Sequence, residues 1–387
     1  MRKSLIGALM MFFLMPIMVI AMQYNQSLNV GDSVVVSGVG TGTMQVVQNG
    51  SIVTVSYVAN TTPTPVPSGT SGIWVSRSEV QALPMTGAAW DNLKSKALGS
   101  WGSANLKDLN SQHDVLTLAG ALYYARTGDT TIRTKTANAI MSAIGTEVGG
   151  RALEPSRNIV SYVIAADLID LKTYDSNKNT QFRTFISALR TEVLDGRTIK
   201  STHEDRPNNW GTHAGAARVA IDRYLGDTAD LALAANIFKG WLGDRNAYND
   251  FEFGDLAWQY NPSQPVAINP KGATKDGHNI DGVLPDDQRR GCGFTWPACK
   301  EGYTWEALQG ATVQAQLLSR AGYDVWNWSD KAMLRSVNWL YNVNSFPPEG
   351  DDTFIPWIIN KAYNTSFRTV TPVSIGKNMS WTDYTHR

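Results

Sequence analysis

One short pattern, a helix-like stretch that ends in glycine and a polar residue, occurs three times and constrains the fold more than any other feature. The copies are Ala121–Asp129, Ile221–Asp227 and, more loosely, Leu318–Asp324. Glycine readily takes the left-handed conformation that ends a helix, and the polar residue can cap the helix that follows. The three glycines, at positions 128, 226 and 322, are 98 and 96 residues apart. The pattern predicts helix pairs joined by tight turns.

Further amphipathic stretches lie between these copies and after the third one. They are Asn158–Leu171, Thr180–Leu194, Thr228–Leu242 and, after the third copy, Ser329–Tyr341. Helix pairs repeated over roughly three hundred residues are typical of α-solenoid architectures. We therefore predict a mainly α fold, an (α/α) toroid or incomplete barrel, with an open α-solenoid as the alternative. A closed toroid would have a central groove in which ligands bind.

The N-terminus has the features of an export signal. Arg2 and Lys3 precede an uncharged run from Ser4 to Ala21. A basic start, an apolar stretch and small residues at its end are typical of a cleaved signal peptide, and an uncleaved membrane anchor is the alternative. We predict a signal peptide over residues 1–21 and a secreted or periplasmic protein without membrane contact after cleavage.

A small β-module, residues 24–58, is predicted next. Its strands are Ser33–Ser37, Met44–Gln48 and Ile52–Tyr57, with a hairpin signal at Asn49-Gly50. Residues 59–73 are rich in Pro, Thr, Ser and Gly and predict a linker, which places the helical domain at 74–387. The module could bind carbohydrate or a cell surface, or could be a spacer.

Charge and cysteine content restrict the function. Basic and acidic residues both number 34, which argues against a nucleic-acid partner. The two cysteines, Cys292 and Cys299, predict one disulfide in an exported protein. No further ligands are spaced for a metal site, so we expect no metal and no cofactor. The thirteen tryptophans fit a large core or a groove in which rings stack on sugars.

The densest polar cluster is Ser201–His213, directly before an apolar helix predicted at Ala214–Tyr224. Pro207 and Gly211 predict a shaped turn before that helix.

The turn would display Asn208, Asn209 and His213 at a helix N-terminus, where anions are favoured. Ordinary helix capping by Asn209 or Thr212 is the alternative.

A second polar cluster surrounds the cysteines. It contains Asp286–Arg290 and Glu301–Gly310. Arg289 and Arg290 could bind a carboxylate in bidentate fashion, although a salt bridge with the preceding aspartates would also explain them. Tyr303 is predicted to begin a helix, and its alternative role is packing in the core.

Four segments together resemble the alginate lyase family of (α/α)-toroid polysaccharide lyases. They are Pro207–His213, a Tyr-x-x-Glu-Ala-Leu-Gln segment at Tyr303, Leu122–Asp129 and Tyr162–Ile169. The likeness extends from about Trp74 to Tyr363. It departs from the family at Trp210, where many alginate lyases have His, and in an insertion that carries both cysteines.

The resemblance implies cleavage of a uronate polymer by β-elimination, in which the C5 proton is removed and the C4 oxygen is expelled. Asn209, helped by His213 or Arg290, would neutralise the substrate carboxylate as the enediolate forms. Tyrosine has an ordinary pKa near 10, so Tyr303 needs cationic neighbours to act as the base.

The positions of the C5 proton and the C4 oxygen on the sugar ring decide which residue acts as base and which as acid. If the C5 proton and the C4 oxygen lie on one face, as in β-mannuronate, Tyr303 can be both base and acid. If they lie on opposite faces, His213 as base and Tyr303 as acid is the natural division.

Further residues are candidates for binding the uronan chain. They are Gln112, His113, Asn208, Trp210, Arg289 and Trp305, with Trp258 and Tyr260 behind them. A glycoside hydrolase on the same toroid would instead need two opposed carboxylates, for which Glu204, Asp205, Asp250 and Glu306 are candidates. A non-catalytic carbohydrate-binding surface protein is the third interpretation.

Overall fold

The computed structural model describes residues 25–29, 42–49, 52–59 and 72–387. The chain divides into two compact units, Met1–Val66 and Pro67–Arg387. The predicted signal peptide, the predicted strand at 33–37 and most of the predicted linker lie outside the described residues.

The described part of the first unit is an antiparallel three-stranded sheet in the order β1-β3-β2. Its strands are β1 (Asn25–Asn29), β2 (Gly42–Asn49) and β3 (Ile52–Ala59). Asn49 pairs with Ile52 at the hairpin between β2 and β3. Two of the three predicted strands are thereby confirmed, and β1 lies ahead of the first predicted strand, at Asn25–Asn29, where no strand was predicted.

The second unit is mainly helical, which confirms the predicted fold class. Its helices are α1 (Arg77–Ala82), α2 (Ala88–Leu98), α3 (His113–Thr127), α4 (Thr130–Ser142), α5 (Leu153–Leu168), α6 (Leu171–Tyr174), α7 (Ser176–Leu189), α8 (Ile199–Asp205), α9 (Asn209–Leu225), α10 (Thr228–Trp241), α11 (Pro285–Gln288), α12 (Tyr303–Arg320), α13 (Trp328–Asn338), α14 (Ile355–Tyr363) and α15 (Thr382–Thr385). A two-stranded hairpin, β4 (Thr274–Lys275) and β5 (His278–Asn279), lies between α10 and α11.

The repeated glycine pattern ends helices as predicted. Gly128 follows α3 with φ of 77°, and Asp129 accepts hydrogen bonds from the first turn of α4. Gly226 follows α9 with φ of 71°, and Asp227 caps α10 in the same way. Gly322 has a φ of 92° after α12, but a short 3-10 turn then precedes α13. The left-handed conformation at each site explains why glycine stands there.

The long helices of the second unit pack in a circuit. Helices α3, α5, α9 and α12 pack successively against one another, while α4 packs on α3 and α10 on α9. From α12 the contacts continue through α14, α15 and α2 back to α3. A circuit of this kind is consistent with the predicted toroid, which stays a prediction. Among the described residues, no helix has the length and apolar character needed to cross a membrane.

Glycines bring α9 and α12 unusually close together. A Cβ atom on Gly310 of α12 would lie 2.4 Å from the carbonyl carbon of Thr212 in α9. A Cβ on Gly215 of α9 would lie 2.3 Å from Oε1 of Gln314, on α12. The backbones can approach only because these side chains are missing. The N-terminal turns of α9 and α12 consequently lie side by side.

The predicted turn around Gly211 is wrong in its extent. Helix α9 begins at Asn209, so Gly211 lies within its first turn. A Cβ there would sit 1.8 Å from the carbonyl oxygen of Arg206. The glycine is therefore explained by close contact inside the fold, and the turn is confined to the residues before Asn209.

Candidate active site

The N-terminal turns of α5, α9 and α12 meet at the carboxylate of Glu306. Its Oε2 accepts hydrogen bonds from Arg157 Nη2 at 2.6 Å and from Asn209 Nδ2 at 3.0 Å. Arg157 lies on α5 with only 3% of its side chain exposed, Asn209 begins α9, and Glu306 is in the first turn of α12. Glu306 thereby fixes the orientation of the Asn209 amide.

The other oxygen of Glu306 is bound by a residue from the C-terminal part of the chain. Lys377, between α14 and α15, places Nζ 2.9 Å from Oε1 of Glu306 and 3.5 Å from Asp351. Burial alone would raise the pKa of Glu306, but Arg157 and Lys377 outweigh it and lower that pKa. Glu306 is therefore an ionised carboxylate held between two cations.

Arg290 and Tyr303 form the exposed side of the same cluster. The guanidinium carbon of Arg290 lies 3.3 Å from the centre of the Tyr303 ring, and its Nη1 donates to Oδ1 of Asn209 at 3.2 Å. Arg290 is exposed, and Tyr303 is 37% exposed. Among the described residues, the hydroxyl of Tyr303 has no hydrogen-bond partner. The structure thus brings together three predicted catalytic residues, Asn209, Arg290 and Tyr303.

The two neighbouring arginines have different surroundings. Arg289 donates from Nε to Oδ1 of Asp286 at 2.9 Å, an ion pair within the protein. Asn208 also binds Asp286, through Nδ2 at 3.1 Å, while its Oδ1 caps α9 at the Trp210 amide. In the structure Arg289 and Asn208 both hold Asp286, in the segment that carries Arg290, and the contact with substrate predicted for them stays a prediction.

A buried aspartate supports the first residue of α9. Asp287 is 1% exposed, and its Oδ1 accepts from the backbone N–H of Asn209 at 3.1 Å. Its Oδ2 has no hydrogen-bond partner among the described residues. Burial and the adjacent Asp286 raise the pKa of Asp287 well above its usual range. Burial therefore favours the neutral form of Asp287, whose Oδ1 supports the Asn209 N–H.

His213, which was predicted to be catalytic, lies too deep to touch a substrate. It is one helical turn beyond Asn209, is fully buried, and its Nδ1 is paired with Nδ2 of Asn378 at 3.3 Å. Burial lowers its pKa well below the usual range, and Arg157 and Lys377 lower it further. Because the ring is enclosed within the helix packing, His213 does not reach a surface on which a substrate could bind, and burial is what separates it from its predicted catalytic role.

The predicted sugar-binding pair at the start of α3 is only partly accessible. Gln112 is exposed at the N-cap position. His113 is 6% exposed, and its Nδ1 lies 2.6 Å from the hydroxyl of Tyr162. Burial and Lys135 lower the pKa of His113. His113 is thus a neutral residue of the α3–α5 contact, and the prediction that it binds substrate is corrected.

The predicted stacking residues also separate into two groups. Trp305 is 1% exposed and donates from Nε1 to the carbonyl of Phe346 at 3.1 Å, and Trp258 is fully buried. These two rings are core residues, which corrects the prediction for Trp305. Trp210 is half-buried and Tyr260 is 53% exposed, so their rings remain accessible.

The loop between Arg290 and Tyr303 is closed by the predicted disulfide. Cys292 and Cys299 are bonded, with their Cα atoms 6.3 Å apart. The carbonyl of Cys299 accepts from Gln288 Nε2 at 2.8 Å, which ties the loop to α11. The inserted loop therefore connects the two exposed residues of the cluster through a covalently closed segment.

Three aspartates that could suggest a metal site are already occupied by a cation of the protein. Asp222, Asp227 and Asp230 have carboxylate oxygens close together. Arg190 Nη1 donates to them at 2.6, 2.8 and 3.3 Å. The guanidinium stands where a metal ion would have to bind, so this cluster is an ion-pair network.

The carboxylates considered for hydrolysis do not form an opposed pair at the cluster. Glu204 pairs with Arg218 at 2.8 Å, and Asp205 with Arg197 at 2.9 Å. Glu306 reaches the cluster, but it accepts bonds from two cations and an amide. A glycosidase acid would need a carboxyl group that keeps its proton.

The sequence prediction did not include several residues of the cluster. They are Arg157, Asp287, Lys377 and Asn378, and Glu306 had been considered only as a hydrolase carboxylate. The Tyr-x-x-Glu spacing that carried the family resemblance was the one signal for Glu306. Arg157 directly precedes the amphipathic stretch predicted at Asn158–Leu171, and the C-terminal segment has no recognisable motif.

A family model described as Alginate lyase matches residues 125–249. The match begins in α3 and ends after α10, so it includes Asn208 to His213 but neither Arg290 nor Tyr303. It confirms the resemblance to alginate lyases and indicates a polysaccharide lyase. No curated protein matches the chain.

Proposed function

We propose that this polysaccharide lyase cleaves a uronate polymer, alginate rich in β-mannuronate, by β-elimination. Asn209, Arg290 and Tyr303 carry the reaction. The observation that supports this most is the placement of one exposed guanidinium against both the Tyr303 ring and the Asn209 amide. A carboxylate bound by Arg290 would therefore lie beside an amide donor and a tyrosine hydroxyl.

In the proposed reaction, Tyr303 acts as a phenolate, its hydroxyl having lost its proton beforehand. The phenolate oxygen takes the C5 proton of the sugar. The electron pair of the C–H bond moves into the carboxyl group and forms an enediolate. Arg290 and the second N–H of Asn209 donate hydrogen bonds that strengthen as this charge develops. The pair then forms the C4=C5 double bond, the C4–O bond breaks, and Tyr303 returns the proton to the leaving oxygen.

Placement of one exposed tyrosine in the cluster favours elimination on a single face of the sugar. The buried His213 cannot reach the opposite face in this arrangement. In β-mannuronate the C5 proton and the C4 oxygen lie on the same face, so one residue can serve both. Glucuronate shares this configuration at C4 and C5, so glucuronan is the closest alternative substrate.

Glu306 acts through Asn209 as a positioning residue. It accepts one N–H of the Asn209 amide, so the other N–H must point away from it. Fixing a donor before the charge develops lowers the barrier, because little reorganisation remains during the reaction.

Substitution Tyr303→Phe tests the assignment of the base. We expect kcat on polymannuronate to fall about 10³-fold, within the range for loss of general acid–base catalysis, while polymer binding is retained. Tyr174→Phe is a matched control, because it removes a tyrosine hydroxyl that binds Thr134 outside the cluster. Turnover by Tyr303→Phe equal to that of the control would contradict the proposal.

We also propose that residues 1–21 direct export, since a disulfide such as Cys292–Cys299 forms in oxidising compartments. The proposed domain organisation is a β-module at 24–58, a linker at 59–73 and the lyase domain at 74–387. Mass spectrometry of the secreted protein tests the removal of residues 1–21. We expect a mature N-terminus just after Ala21, and an intact Met1 would contradict cleavage.

A further inference from the structure

A half-buried tryptophan and an arginine lie together beside the proposed reaction centre. The guanidinium carbon of Arg151 is 5.2 Å from the centre of the Trp210 ring. Arg151 precedes α5, and its side chain is 44% exposed. Trp210 directly follows Asn209 in the first turn of α9. The proposed elimination uses neither side chain, although Trp210 directly follows Asn209, its amide donor, in the sequence.

Arg151 is held in a defined orientation. Glu154, only 4% exposed, accepts the backbone N–H of Arg151 at 2.9 Å and its Nε at 2.7 Å, and it also binds Nη2. Within residues 72–387, Nη1 of Arg151 has no partner. One edge of the guanidinium is thus fixed by the protein, while Nη1 remains able to bind another carboxylate.

The same stretch of chain carries a second cation. Lys107 donates from Nζ to the carbonyl of Val148 at 3.1 Å, and its side chain packs against Gly150, next to Arg151. Glu147 and Glu154 lie in the same stretch, so the group that suits an anionic ligand is the open Nη1 edge of Arg151 and not a net charge of the stretch.

The Trp210 indole differs from the tryptophans of the core. Trp241 and Trp305 donate their Nε1–H to backbone carbonyls at 2.7 and 3.1 Å. In the described part of the chain, Nε1 of Trp210 has no acceptor. A half-buried ring with an unused donor can stack on a pyranose ring and bind one of its hydroxyl groups.

We propose that Arg151 and Trp210 form a second sugar subsite, which binds the uronate residue next to the one that is cleaved. The Trp210 ring packs on the face of this sugar, and Arg151 donates to its carboxylate. The inference rests on the proposed function, since it assumes a uronate polymer in the cleft. It assigns to Arg151 a contact with substrate that does not take part in bond breaking.

The experiment compares Arg151→Gln, Arg151→Lys and Arg77→Gln on mannuronate oligomers of increasing length and on the polymer. Arg77 is the matched control, because it is exposed and likewise lies over an aromatic ring, 4.8 Å from that of Tyr124. Thermal melting establishes that each variant is folded. Turnover is followed by the absorbance of the new double bond.

We expect Arg151→Gln to raise KM about tenfold on the polymer and long oligomers, as for loss of a charge-assisted hydrogen bond, with kcat nearly unchanged. This rise in KM should be smaller on the shortest oligomer that is cleaved. Arg151→Lys should have a KM between those of wild type and Arg151→Gln. A uniform fall of kcat at all lengths, or kinetics equal to those of Arg77→Gln, would overturn the subsite.

A binding measurement separates this inference from the proposed reaction. In the Tyr303→Phe background, adding Arg151→Gln should weaken binding of a long mannuronate oligomer about tenfold, whether or not the parent enzyme cleaves it. Unchanged binding overturns the subsite while the lyase activity stands. If the parent enzyme does not cleave the polymer but Arg151→Gln still weakens binding of the oligomer, the proposed reaction alone is overturned. If the parent enzyme does not cleave and the oligomer does not bind, both proposals are overturned.

Discussion

Replacing Glu306 by Gln perturbs the contact on which the candidate site depends most. The carboxylate accepts from Arg157, Asn209 and Lys377. Gln keeps one acceptor oxygen but turns an NH₂ group toward one of the cations. Arg157, with 3% of its side chain exposed, then loses its ionic partner.

The structure sets the expected magnitude. Removing one partner of a fully buried ion pair costs about 3–5 kcal/mol. The side chain of Glu306 is 22% exposed and that of Lys377 is 29% exposed, and Gln retains an acceptor. We therefore expect Glu306→Gln to lower the free energy of unfolding by about 2–3 kcal/mol at pH 7. Glu252→Gln is the control, because its pair with Arg197 is long and exposed and should contribute less than about 1 kcal/mol.

The pH dependence has a definite sign. Because the folded protein lowers the pKa of Glu306 below its ordinary value of 4.5, the ionised carboxylate stabilises the fold above that value. This contribution is lost as the pH falls through the lowered pKa. The difference in unfolding free energy between wild type and Glu306→Gln should thus be full at pH 7 and shrink in acid.

Activity reports the positioning role separately from stability. At a temperature where both proteins are folded, kcat of Glu306→Gln should fall about 10²-fold, since small misplacements of a catalytic group have effects of this size. Urea unfolding at several pH values and initial rates on polymannuronate are the assays. A variant with normal kcat, or a stability loss that stays constant down to low pH, would refute the reasoning.

Two further substitutions test the packing around the site. Asp287→Asn mimics the neutral acid, so this variant should be at least as stable as wild type at pH 8. Its advantage in unfolding free energy should grow as the pH rises from the ordinary aspartate pKa of 3.8 toward the raised pKa of Asp287. Marked destabilisation of the variant at pH 8 would mean that Asp287 is ionised. Gly310→Ala should lower the free energy of unfolding by about 1–3 kcal/mol or more, because the added Cβ would lie 2.4 Å from the carbonyl carbon of Thr212. A melting temperature equal to that of wild type would contradict the close α9–α12 contact.

Helix ends and the start of α12 could be predicted because they depend on residues within one turn. Gly128 and Asp129 end one helix and begin the next, as Gly226 and Asp227 do. These signals need no knowledge of tertiary contacts. The fold class and Tyr303 as the first residue of α12 followed from the same local rules.

The depth of His213 could not be predicted, because Gly211 has two possible explanations. A glycine before an apolar helix is typical of a turn. In the structure it lies inside α9, where its missing side chain admits the carbonyl of Arg206. The helix starts at Asn209, five residues before the predicted start at Ala214, and this places His213 inside the helix and in the core.

The partners of Glu306 depend on contacts between distant parts of the chain. Arg157 is 149 residues away and Lys377 is 71 residues away. Neither lies in a polar cluster. The packing of α5, α9 and α12 brings Arg157 to Glu306, and the segment between α14 and α15 brings Lys377. The burial of His113 and Trp305 is likewise a tertiary property, since residue type does not distinguish a groove aromatic from a core one.

The most direct test of the account is the ultraviolet absorbance of products formed from four polymers: polymannuronate, polyguluronate, glucuronan and a neutral glucan. We predict that absorbance from the new C4=C5 double bond rises with polymannuronate, and that Tyr303→Phe abolishes the rise. New reducing ends without that absorbance, on any of the four polymers, would contradict elimination and favour hydrolysis.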